Sequence, residues 1–340
     1  MTHRRADLSG DDTDGLLVLD VGATYTRISI SGSLDNFDAS LPPLRRQLST
    51  VEELISLVTS VVAEQPSIPR TLVAGFAGAV RPNGDAVRMT NWEQDGSLVQ
   101  AASFRALGFE EVHLINDAKA AAHGLIDLIG RDRTSVGQIP GGSRLPEAGN
   151  RVLIVPGTGL GSAALIHTEG KSADWHVVAT EAQHGPATVN GSDASDLLAA
   201  LTKRLGNRPS WEDCVSGRGL ESLYALTGHG RRSTPASEVA ERARAGDPEA
   251  ARALCCYYAV AGAFAQSLAL AFLSYGGVCF AGAATRANRE FIPESPLEGE
   301  FYENCVMGEW LLKVPLVLIP QELNLRGALA FVRNRLSVRG

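Results

Sequence analysis

Residues Leu17–Thr24 read LVLDVGAT, and residues Leu153–Gly159 read LIVPGTG. Each stretch is an apolar run that ends at a glycine turn. A second run follows each turn, at Arg27–Ile30 in the first case and at Ser162–His167 in the second. This pattern predicts a strand, a tight turn and another strand. The shared layout indicates two related halves, each with one hairpin suited to holding phosphate.

Outward from these hairpins, strands alternate with helices along the chain, which predicts an α/β protein. Further strands are expected at Thr71–Ala77, Glu111–Ile115, Val278–Ala281 and Val314–Ile319. Helices are expected at Val51–Glu64, Leu98–Leu107, Ala118–Ile129, Asp193–Leu205, Ser237–Ala245, Pro248–Tyr275 and Gly327–Leu336. Arg131–Asn150 is loop-like, because two glycines in a row and two prolines interrupt it, and we expect a domain crossover there.

The composition is that of a globular protein. The chain has 340 residues, of which 44% are hydrophobic and 20% are charged. Its net charge of -7 and the lack of a Lys/Arg run argue against a nucleic-acid surface. The five cysteines include no Cys-x-x-Cys pair, which favours reduced thiols in the cytoplasm. Residues 1–14 are polar and lack the apolar core of a signal peptide, so we interpret them as a flexible tail.

One apolar segment raises the question of a membrane span. Ala253–Tyr275 contains no Asp, Glu, Lys or Arg and is long enough to cross a bilayer. It is also rich in alanine, includes Gln266 and Ser267, and has no basic flank on its C-terminal side. A helix that is hydrophobic on nearly all sides is equally typical of the centre of a large domain. We therefore expect a buried helix and no membrane association.

The two glycine turns have the composition of phosphate-binding loops. A triphosphate needs several backbone amides, and glycine lets the chain approach it closely. The candidate residues of the second turn are Gly157, Thr158, Gly159 and Gly161. In the first turn, Asp20 lies at the end of a strand beside Gly22, where a carboxylate could hold the magnesium ion of a nucleotide through water. A plain hairpin turn is the alternative in both cases.

Two other nucleotide-binding patterns do not fit. A dinucleotide-binding turn opens a helix, whereas both turns here lead into strands. Gly170–Ser172 spells GKS, but a P-loop needs another glycine five positions before Gly170, and that position is Leu165. We interpret this tripeptide as a surface hairpin turn.

Asn116 and Asp117 follow a predicted strand and precede an alanine-rich helix. A carboxylate at the end of a strand can accept the proton of a substrate hydroxyl while that oxygen attacks phosphorus. Asp117 is therefore a candidate general base. The alternative is a helix cap, a role that Asn and Asp often take.

A second polar segment, Thr180–His184, lies near a turn. Glu181 and His184 are three residues apart, and both could reach the hydroxyl groups of a sugar. Taken alone, the segment is also typical of a solvated turn. Glu212, in Ser210–Ser216, is unremarkable by itself.

In order and spacing, these motifs resemble those of bacterial glucokinases, which belong to the hexokinase and actin-like ATPase superfamily. The resemblance covers residues 16–336. The matching segments are Asp20–Arg27 and Gly157–Gly161 for the phosphate loops, Met89–Trp92, Thr180–His184 and Glu212–Gly217 for the sugar side, Leu114–Asp117 for the catalytic strand end, Gly276–Gly282 for the adenosine segment, and Asn324–Ala328 for the closing turn and helix.

The resemblance implies a two-domain actin-like ATPase fold of the ribonuclease H-like type, with the active site in the cleft between the domains. It implies a tail at 1–14, a small α/β domain of residues 15–128 plus 324–340, and a large α/β domain of residues 129–323. The implied function is ATP-dependent phosphorylation of glucose to glucose 6-phosphate, with Mg²⁺. The family is usually homodimeric.

The same resemblance implies roles for individual residues. Asp117 would be the catalytic base, and Asp20 would hold Mg²⁺ through water. The expected ATP-binding residues are Asp20, Gly22, Ala23, Thr24, Gly157, Thr158, Gly159, Gly161 and Gly282. The expected sugar-binding residues are Asn91, Asn116, Asp117, Glu181, His184 and Glu212.

The chain departs from the family pattern at glycine positions. Ala23 stands where a second glycine is usual, and Ala283 replaces a glycine of the adenosine segment. The residues that replace glycines in the sugar loop are Thr180, Ala182 and Gln183. These positions are backbone spacers, whereas every side chain with an implied chemical role is kept. The changes therefore bear on affinity and substrate preference more than on the type of reaction.

Two alternatives stay open. The chain could phosphorylate another hexose or an amino sugar, such as fructose or N-acetylmannosamine, or could use polyphosphate as the donor. It could instead be a regulator that binds a sugar without turnover. A regulator of that kind would not need the base Asp117, which favours the kinase.

Overall fold

The computed structural model describes residues 15–22, 24–31, 43–90, 92, 97–131, 137–138, 145–168, 174–228, 234–303 and 306–337. The chain forms two compact units. One contains residues up to Gly130 together with those from Glu322 onward, and the other is Arg131–Gln321. The predicted tail at 1–14 and the predicted hairpin turn at Gly170–Ser172 lie outside the described residues.

The strands are β1 (Leu16–Val21), β2 (Thr26–Ser31), β3 (Leu44–Arg46), β4 (Thr71–Phe76), β5 (Gly78–Val80), β6 (Ala86–Met89), β7 (Leu98–Gln100), β8 (Glu111–Asn116), β9 (Gly137–Gln138), β10 (Arg151–Pro156), β11 (Leu160–Thr168), β12 (Asp174–Thr180), β13 (Gly277–Phe280) and β14 (Leu316–Leu318). The helices are α1 (Val51–Ala63), α2 (Ala101–Arg105), α3 (Asp117–Arg131), α4 (Ser192–Leu205), α5 (Trp211–Cys214), α6 (Gly217–Tyr224), α7 (Ala236–Arg244), α8 (Pro248–Phe272), α9 (Ala283–Ala287), α10 (Leu297–Tyr302), α11 (Gly308–Leu311) and α12 (Asn324–Ser337).

Most of the predicted strands and helices are confirmed to within a few residues at their ends. The predicted helix at Leu98–Leu107 is wrong in its first turn, because β7 occupies that part and pairs antiparallel with β6. Val99 is fully buried in this pairing, and a β-branched side chain packs well on a sheet surface. The closing helix begins at Asn324 rather than at Gly327.

β1 runs through the middle of the first unit. The described strands there form a sheet with the order β3-β2-β1-β4-β8, and three further strands form a small sheet, β5-β6-β7. Side chains alternate along a strand, so Leu17 and Leu19 join the core beside α1, while Leu16 and Val18 join the core beside α12. All of β1 is buried, which explains its nearly continuous apolar sequence.

α12 packs against α3 with almost no space between the two backbones. A Cβ atom on Gly327 would lie 1.6 Å from the carbonyl oxygen of Ala120. One on Gly124, a turn further along α3, would lie 2.3 Å from the carbonyl oxygen of Leu323. Glycine at these two positions lets the C-terminal helix lie close enough to cover one face of the first sheet.

The second unit repeats the strand layout of the first. Its described sheet has the order β12-β11-β10-β13-β14-β9. From β12 to β14, the order and the directions match those of β3-β2-β1-β4-β8: two antiparallel pairings are followed by two parallel ones. The two related halves predicted from the glycine turns are confirmed at the level of strand topology.

α8 is the central helix of the second unit. The side chain of Asp247 caps it by accepting hydrogen bonds from the N–H groups of Glu249 and Ala250, and Pro248 occupies the first turn. Within the described part of the chain, α8 is the one helix long and apolar enough to cross a membrane. Of its most apolar stretch of 18 residues, 72% is buried inside the protein. The predicted buried helix is confirmed.

Gly327→Ala should lower the thermal unfolding midpoint, because the new methyl group would overlap the Ala120 carbonyl and push α12 off the sheet. Overpacking of this kind costs about 1–3 kcal/mol. The matched control is Gly130→Ala, which adds the same methyl group to α3 at a point where the described structure has nothing within 4 Å. Calorimetry should show an equal or higher midpoint for the control, since alanine favours helix over glycine. An unchanged midpoint for Gly327→Ala would contradict the close helix contact.

Candidate functional site

The first predicted phosphate turn joins β1 to β2. The N–H of Gly22 donates to the carbonyl oxygen of Tyr25 at 3.1 Å and closes the turn. A Cβ atom on Gly22 would lie 3.1 Å from the same oxygen, so the absence of a side chain permits this approach. Thr24 lies within the turn, whereas Ala23 lies outside the described residues.

Asp20 is a buried carboxylate just before this turn, and Arg27 is directly opposite it in the β1–β2 ladder. Nε of Arg27 donates to Oδ2 of Asp20 at 2.7 Å, and the same guanidinium contacts Glu322, with Nη1 2.6 Å from Oε2. Nδ2 of Asn324, at the start of α12, donates to Oδ1 of Asp20 at 2.8 Å. Both carboxylate oxygens therefore accept hydrogen bonds, although the residue is only 3% exposed.

The electrostatics of this pair bear on the predicted magnesium site. Burial raises the pKa of Asp20, while the charge of Arg27 and the hydrogen bond from Asn324 act in the opposite direction. Burial also opposes the charged form of Arg27, but the attraction of Asp20 and Glu322 outweighs it and raises the pKa of Arg27. Asp20 is thus already paired with a cation, which does not fit direct coordination of Mg²⁺. Among the described residues, no group of three or more His, Cys, Asp or Glu side chains could hold a metal ion.

Asn116 ends β8 and Asp117 begins α3. Oδ1 of Asn116 accepts the N–H of Lys119 at 3.1 Å, and its Nδ2 donates to the carbonyl oxygen of Gly78 at 3.3 Å. Oδ1 of Asp117 accepts the N–H of Ala118 at 2.8 Å. The helix-capping hydrogen bond considered for Asp117 is therefore made by its neighbour Asn116.

The first turn and Asp117 lie at the same edge of the first sheet. β1, β4 and β8 are parallel, with Asp20 level with Gly75 and Phe76 level with Asn116. Gly75 lies beside the start of α3, since a Cβ atom on it would be 3.7 Å from the Cα of Asp117. In open α/β sheets, ligands bind at the carboxyl ends of the strands. The edge with the turn and the carboxylate is therefore the candidate site of the first unit.

The second predicted phosphate turn joins β10 to β11. The N–H of Gly157 donates to the carbonyl oxygen of Gly159 at 2.8 Å. The carbonyl oxygen of Gly157 in turn accepts the N–H of Gly217, at the start of α6, at 2.8 Å. Oε2 of Glu212 accepts the N–H of Leu160 at 2.9 Å. A Cβ atom on Gly159 would lie 2.8 Å from this carboxylate oxygen. Glycine at position 159 therefore makes room for Glu212.

The other predicted residues of this turn lie around it. Thr158 is at its tip, and Gly161 pairs with Val155 in the β10–β11 ladder. Gly282 follows β13 with a φ of 93°, in the left-handed region that favours glycine. A Cβ atom on Gly282 would lie 2.7 Å from the carbonyl oxygen of Pro156, so Gly282 borders the turn.

The predicted sugar loop follows β12, which ends at the same sheet edge as β10 because β11 is antiparallel to both. Oε2 of Glu181 lies 3.4 Å from Nε2 of His184, and their side chains are 59% and 52% exposed. The N–H of Trp211 donates to the carbonyl oxygen of Gly185 at 3.0 Å. The segment that carries Glu212 is thus bonded to the sugar loop as well as to the phosphate turn.

The structure therefore arranges the predicted residues in two sets, one at each sheet edge. The set in the first unit is Asp20, Gly22, Thr24, Asn116 and Asp117. The set in the second unit is Gly157, Thr158, Gly159, Gly161, Glu181, His184, Glu212 and Gly282. Ala23 and Asn91 lie outside the described residues.

Sequence reasoning missed three groups that hold these sets in place. Arg27 could have been found, because it lies seven residues after Asp20 across a predicted hairpin, where the ladder can bring the two side chains opposite each other. Asn324 carried no such signal, and neither did Gln183, whose Nε2 donates to Oε2 of Glu181 at 2.8 Å. The contact of Glu212 with Leu160 also had none, since its donor is a backbone N–H.

The fold is that of known sugar kinases. The crystal structure of glucokinase from Balamuthia mandrillaris in complex with glucose has a TM-score of 0.84 to this chain at 22% identity, and the match covers 97% of this chain and 96% of that one. A ROK family glucokinase from Streptomyces griseus in complex with glucose and AMPPNP has a TM-score of 0.68 at 20% identity, covering 94% and 99%. The predicted two-domain actin-like ATPase fold is confirmed.

Sequence similarity identifies the family. The family model described as Glucokinase matches residues 17–335, so the chain belongs to the glucokinase family. The glucokinase of Chelativorans sp. (strain BNC1) is 29% identical over 330 residues, which are 94% of this chain and 91% of that protein. The bifunctional protein glk of Burkholderia orbicola (strain AU 1054) is 30% identical over 326 residues, which are 94% of this chain but 48% of that protein. The chain thus spans about half the length of the first curated relatives that it matches.

Arg27→Met should lower the free energy of unfolding by about 3 kcal/mol, because it leaves the buried carboxylate of Asp20 without its cation. Arg70→Met is the matched control. Nε of Arg70 lies 3.1 Å from Oε2 of Glu110, and both side chains are largely exposed. An exposed pair of this kind contributes about 0–1 kcal/mol. Denaturation by urea measures both losses, and equally small losses would contradict a buried ion pair at Asp20.

Proposed function

We propose that this chain transfers the terminal phosphate of ATP to the 6-hydroxyl of glucose. The observation that carries the proposal is the edge of the first sheet, where the glycine turn after β1 and the carboxylate of Asp117 after β8 occur together. The second unit has an equivalent turn at Gly157–Gly161. The name of the Chelativorans relative and the ligands of the two solved glucokinase structures support the same reaction.

Asp117 would act as the general base. As the 6-hydroxyl oxygen attacks the γ-phosphorus, its proton passes to the carboxylate of Asp117. A new bond forms between that oxygen and phosphorus, the bond from phosphorus to the bridging oxygen breaks, and ADP leaves. The hydrogen bond from the N–H of Ala118 orients the carboxylate. Asn116 supports this role, because its side chain accepts the N–H of Lys119 in the first turn of α3.

The glycine turns would bind the phosphates through backbone amides. The residues proposed for ATP are Gly22, Ala23, Thr24, Gly157, Thr158, Gly159, Gly161 and Gly282. The amide of Leu160 would not take part while it donates to Glu212. We propose that Mg²⁺ arrives with the nucleotide. Asp20 would at most contact it through water, and its contacts with Arg27 and Asn324 support a structural role.

The sugar would be held through its hydroxyl groups. The residues proposed for this are Asn91, Asn116, Asp117, Glu181, His184 and Glu212. Carboxylates accept hydrogen bonds, and histidine can donate or accept, so the set suits hydroxyl recognition. A site of this type can reject an analogue that lacks one hydroxyl by up to ~10⁴–10⁵-fold. Since Glu212 also binds the second turn, we propose that it serves both substrates.

The wider setting is also proposed. The small domain would comprise residues 15–128 plus 324–340, and the large domain residues 129–323. The protein would work in the cytoplasm as a homodimer. The cysteines without a Cys-x-x-Cys pair support the cytoplasm, and the resemblance to the family supports the dimer.

A coupled assay of ADP release should show turnover with ATP, Mg²⁺ and glucose. Fructose, N-acetylmannosamine and polyphosphate belong in the same panel, as alternative acceptors and an alternative donor. We expect glucose with ATP to give the highest kcat/KM. A higher value for another sugar would correct the substrate. No turnover with any sugar, together with glucose binding in calorimetry, would favour the sugar-sensing regulator.

Asp117→Asn should still bind glucose but lose turnover by ~10²–10⁴-fold, because the amide keeps the shape of the side chain and cannot take the proton. Asp127→Asn is the matched control in the same helix, where Oδ2 accepts from Nε of Arg326 at 2.8 Å. The control should affect stability and leave kcat unchanged. Steady-state kinetics and calorimetry test both variants. Turnover of Asp117→Asn within a few-fold of wild type would exclude Asp117 as the base.

A further inference from the structure

A series of hydrogen bonds lies behind the exposed carboxylate of Glu181. The hydroxyl oxygens of Thr180 and Ser162 are 2.7 Å apart, and Oγ of Ser162 is 3.1 Å from Oε1 of Gln183. Nε2 of Gln183 is 2.8 Å from Oε2 of Glu181. Ser162 is fully buried and Gln183 is 7% exposed. Two interior polar side chains thus connect β11 to a carboxylate at the surface.

The chemistry of these groups determines which of them donates. A carboxylate only accepts, so Gln183 presents its NH₂ group to Glu181 and its carbonyl oxygen to Ser162. Ser162 then gives its single proton to Gln183, and Thr180 must donate to Ser162. Each hydrogen bond polarises the next, and the series ends on a charged group. The four side chains therefore act as one network.

We propose that Gln183 is a positioning residue that holds Glu181 ready for the sugar, an inference that rests on the proposed function. The side chain of Glu181 is 59% exposed, and a free carboxylate there would lose rotamer freedom when it binds a ligand. The bond from Gln183 removes that freedom beforehand. It uses Oε2, and among the described residues Oε1 of Glu181 accepts no hydrogen bond. One oxygen is therefore left for a sugar hydroxyl.

The network depends on two side chains of the sugar loop itself. Thr180 begins the network and Gln183 joins Ser162 to Glu181, and glycine at either position would offer no side chain to it. Ser162 lies on β11, directly after the second phosphate turn. The network therefore fastens the sugar loop to the strand that leaves the phosphate turn, and it bears on sugar affinity and discrimination.

Gln183→Met tests the role, because methionine keeps the length of the side chain and removes the amide. Calorimetry should show a glucose Kd about tenfold higher, the size expected for one hydrogen bond to a charged group. The Kd of AMPPNP should stay unchanged. Ser162→Ala removes a single hydroxyl from the far side of the network and should raise the glucose Kd in the same direction by a smaller factor.

Two further variants separate positioning from a general structural effect. Gln266→Met makes the same exchange in α8, where Nε2 donates to the carbonyl oxygens of Phe301 and Glu303 at 2.9 Å and 3.1 Å. It should lower the unfolding temperature and leave the glucose Kd unchanged. In a Glu181→Ala background, Gln183→Met should have no further effect on the glucose Kd, because the group it positions is gone.

A glucose Kd unchanged in both Gln183→Met and Ser162→Ala would overturn the inference while leaving the proposed function intact. Additive losses in the Glu181→Ala background, or an equal loss of AMPPNP affinity, would also overturn it, since they indicate a general structural role. Wild-type protein that binds no hexose would refute the proposed function, and the role of Gln183 with it.

Discussion

The first unit depends on the buried carboxylate of Asp20. A charge that has left water is tolerated only when it is paired and hydrogen-bonded. Arg27 supplies the pairing from the neighbouring strand, and Asn324 supplies a hydrogen bond from the start of α12. Because Asn324 comes from the far end of the chain, the C-terminal helix has to return to the first unit before this carboxylate is satisfied. The glycine contact between α12 and α3 then holds the helix against the sheet.

The two units support equivalent turns in different ways. In the first unit, the support comes from inside the sheet, through the ion pair of Asp20 and Arg27. In the second unit, Val155 occupies the second-to-last position of β10, where β1 has Asp20. The support there comes from outside the strand, through Glu212 and the N–H of Gly217. The second arrangement places a side chain proposed for the sugar in contact with the loop proposed for phosphate. In the proposed function, this contact would couple the binding of the two substrates.

The sequence was most informative where local physics decides the structure. The apolar runs and glycine turns predicted both hairpins, and Asp117 was located correctly at the end of a strand, because such patterns depend on neighbouring residues. Contacts between distant residues were not predictable. The bond from Leu160 to Glu212 joins positions 52 residues apart, and Ser162 meets Gln183 across two strands. The first turn of the predicted helix at Leu98–Leu107 failed for the same reason, because pairing with β6 overrode its local pattern.

The proposed reaction moves a phosphoryl group from ATP to the 6-oxygen of glucose. Phosphorus-31 NMR of a mixture of the protein, ATP, Mg²⁺ and glucose tests it most directly, since the spectrum reports the bond that is formed. We expect a phosphomonoester signal, split by the protons on C6 of glucose, that grows in step with ADP. Growth of ADP and inorganic phosphate without a phosphomonoester, or a phosphomonoester on another carbon, would contradict the claim.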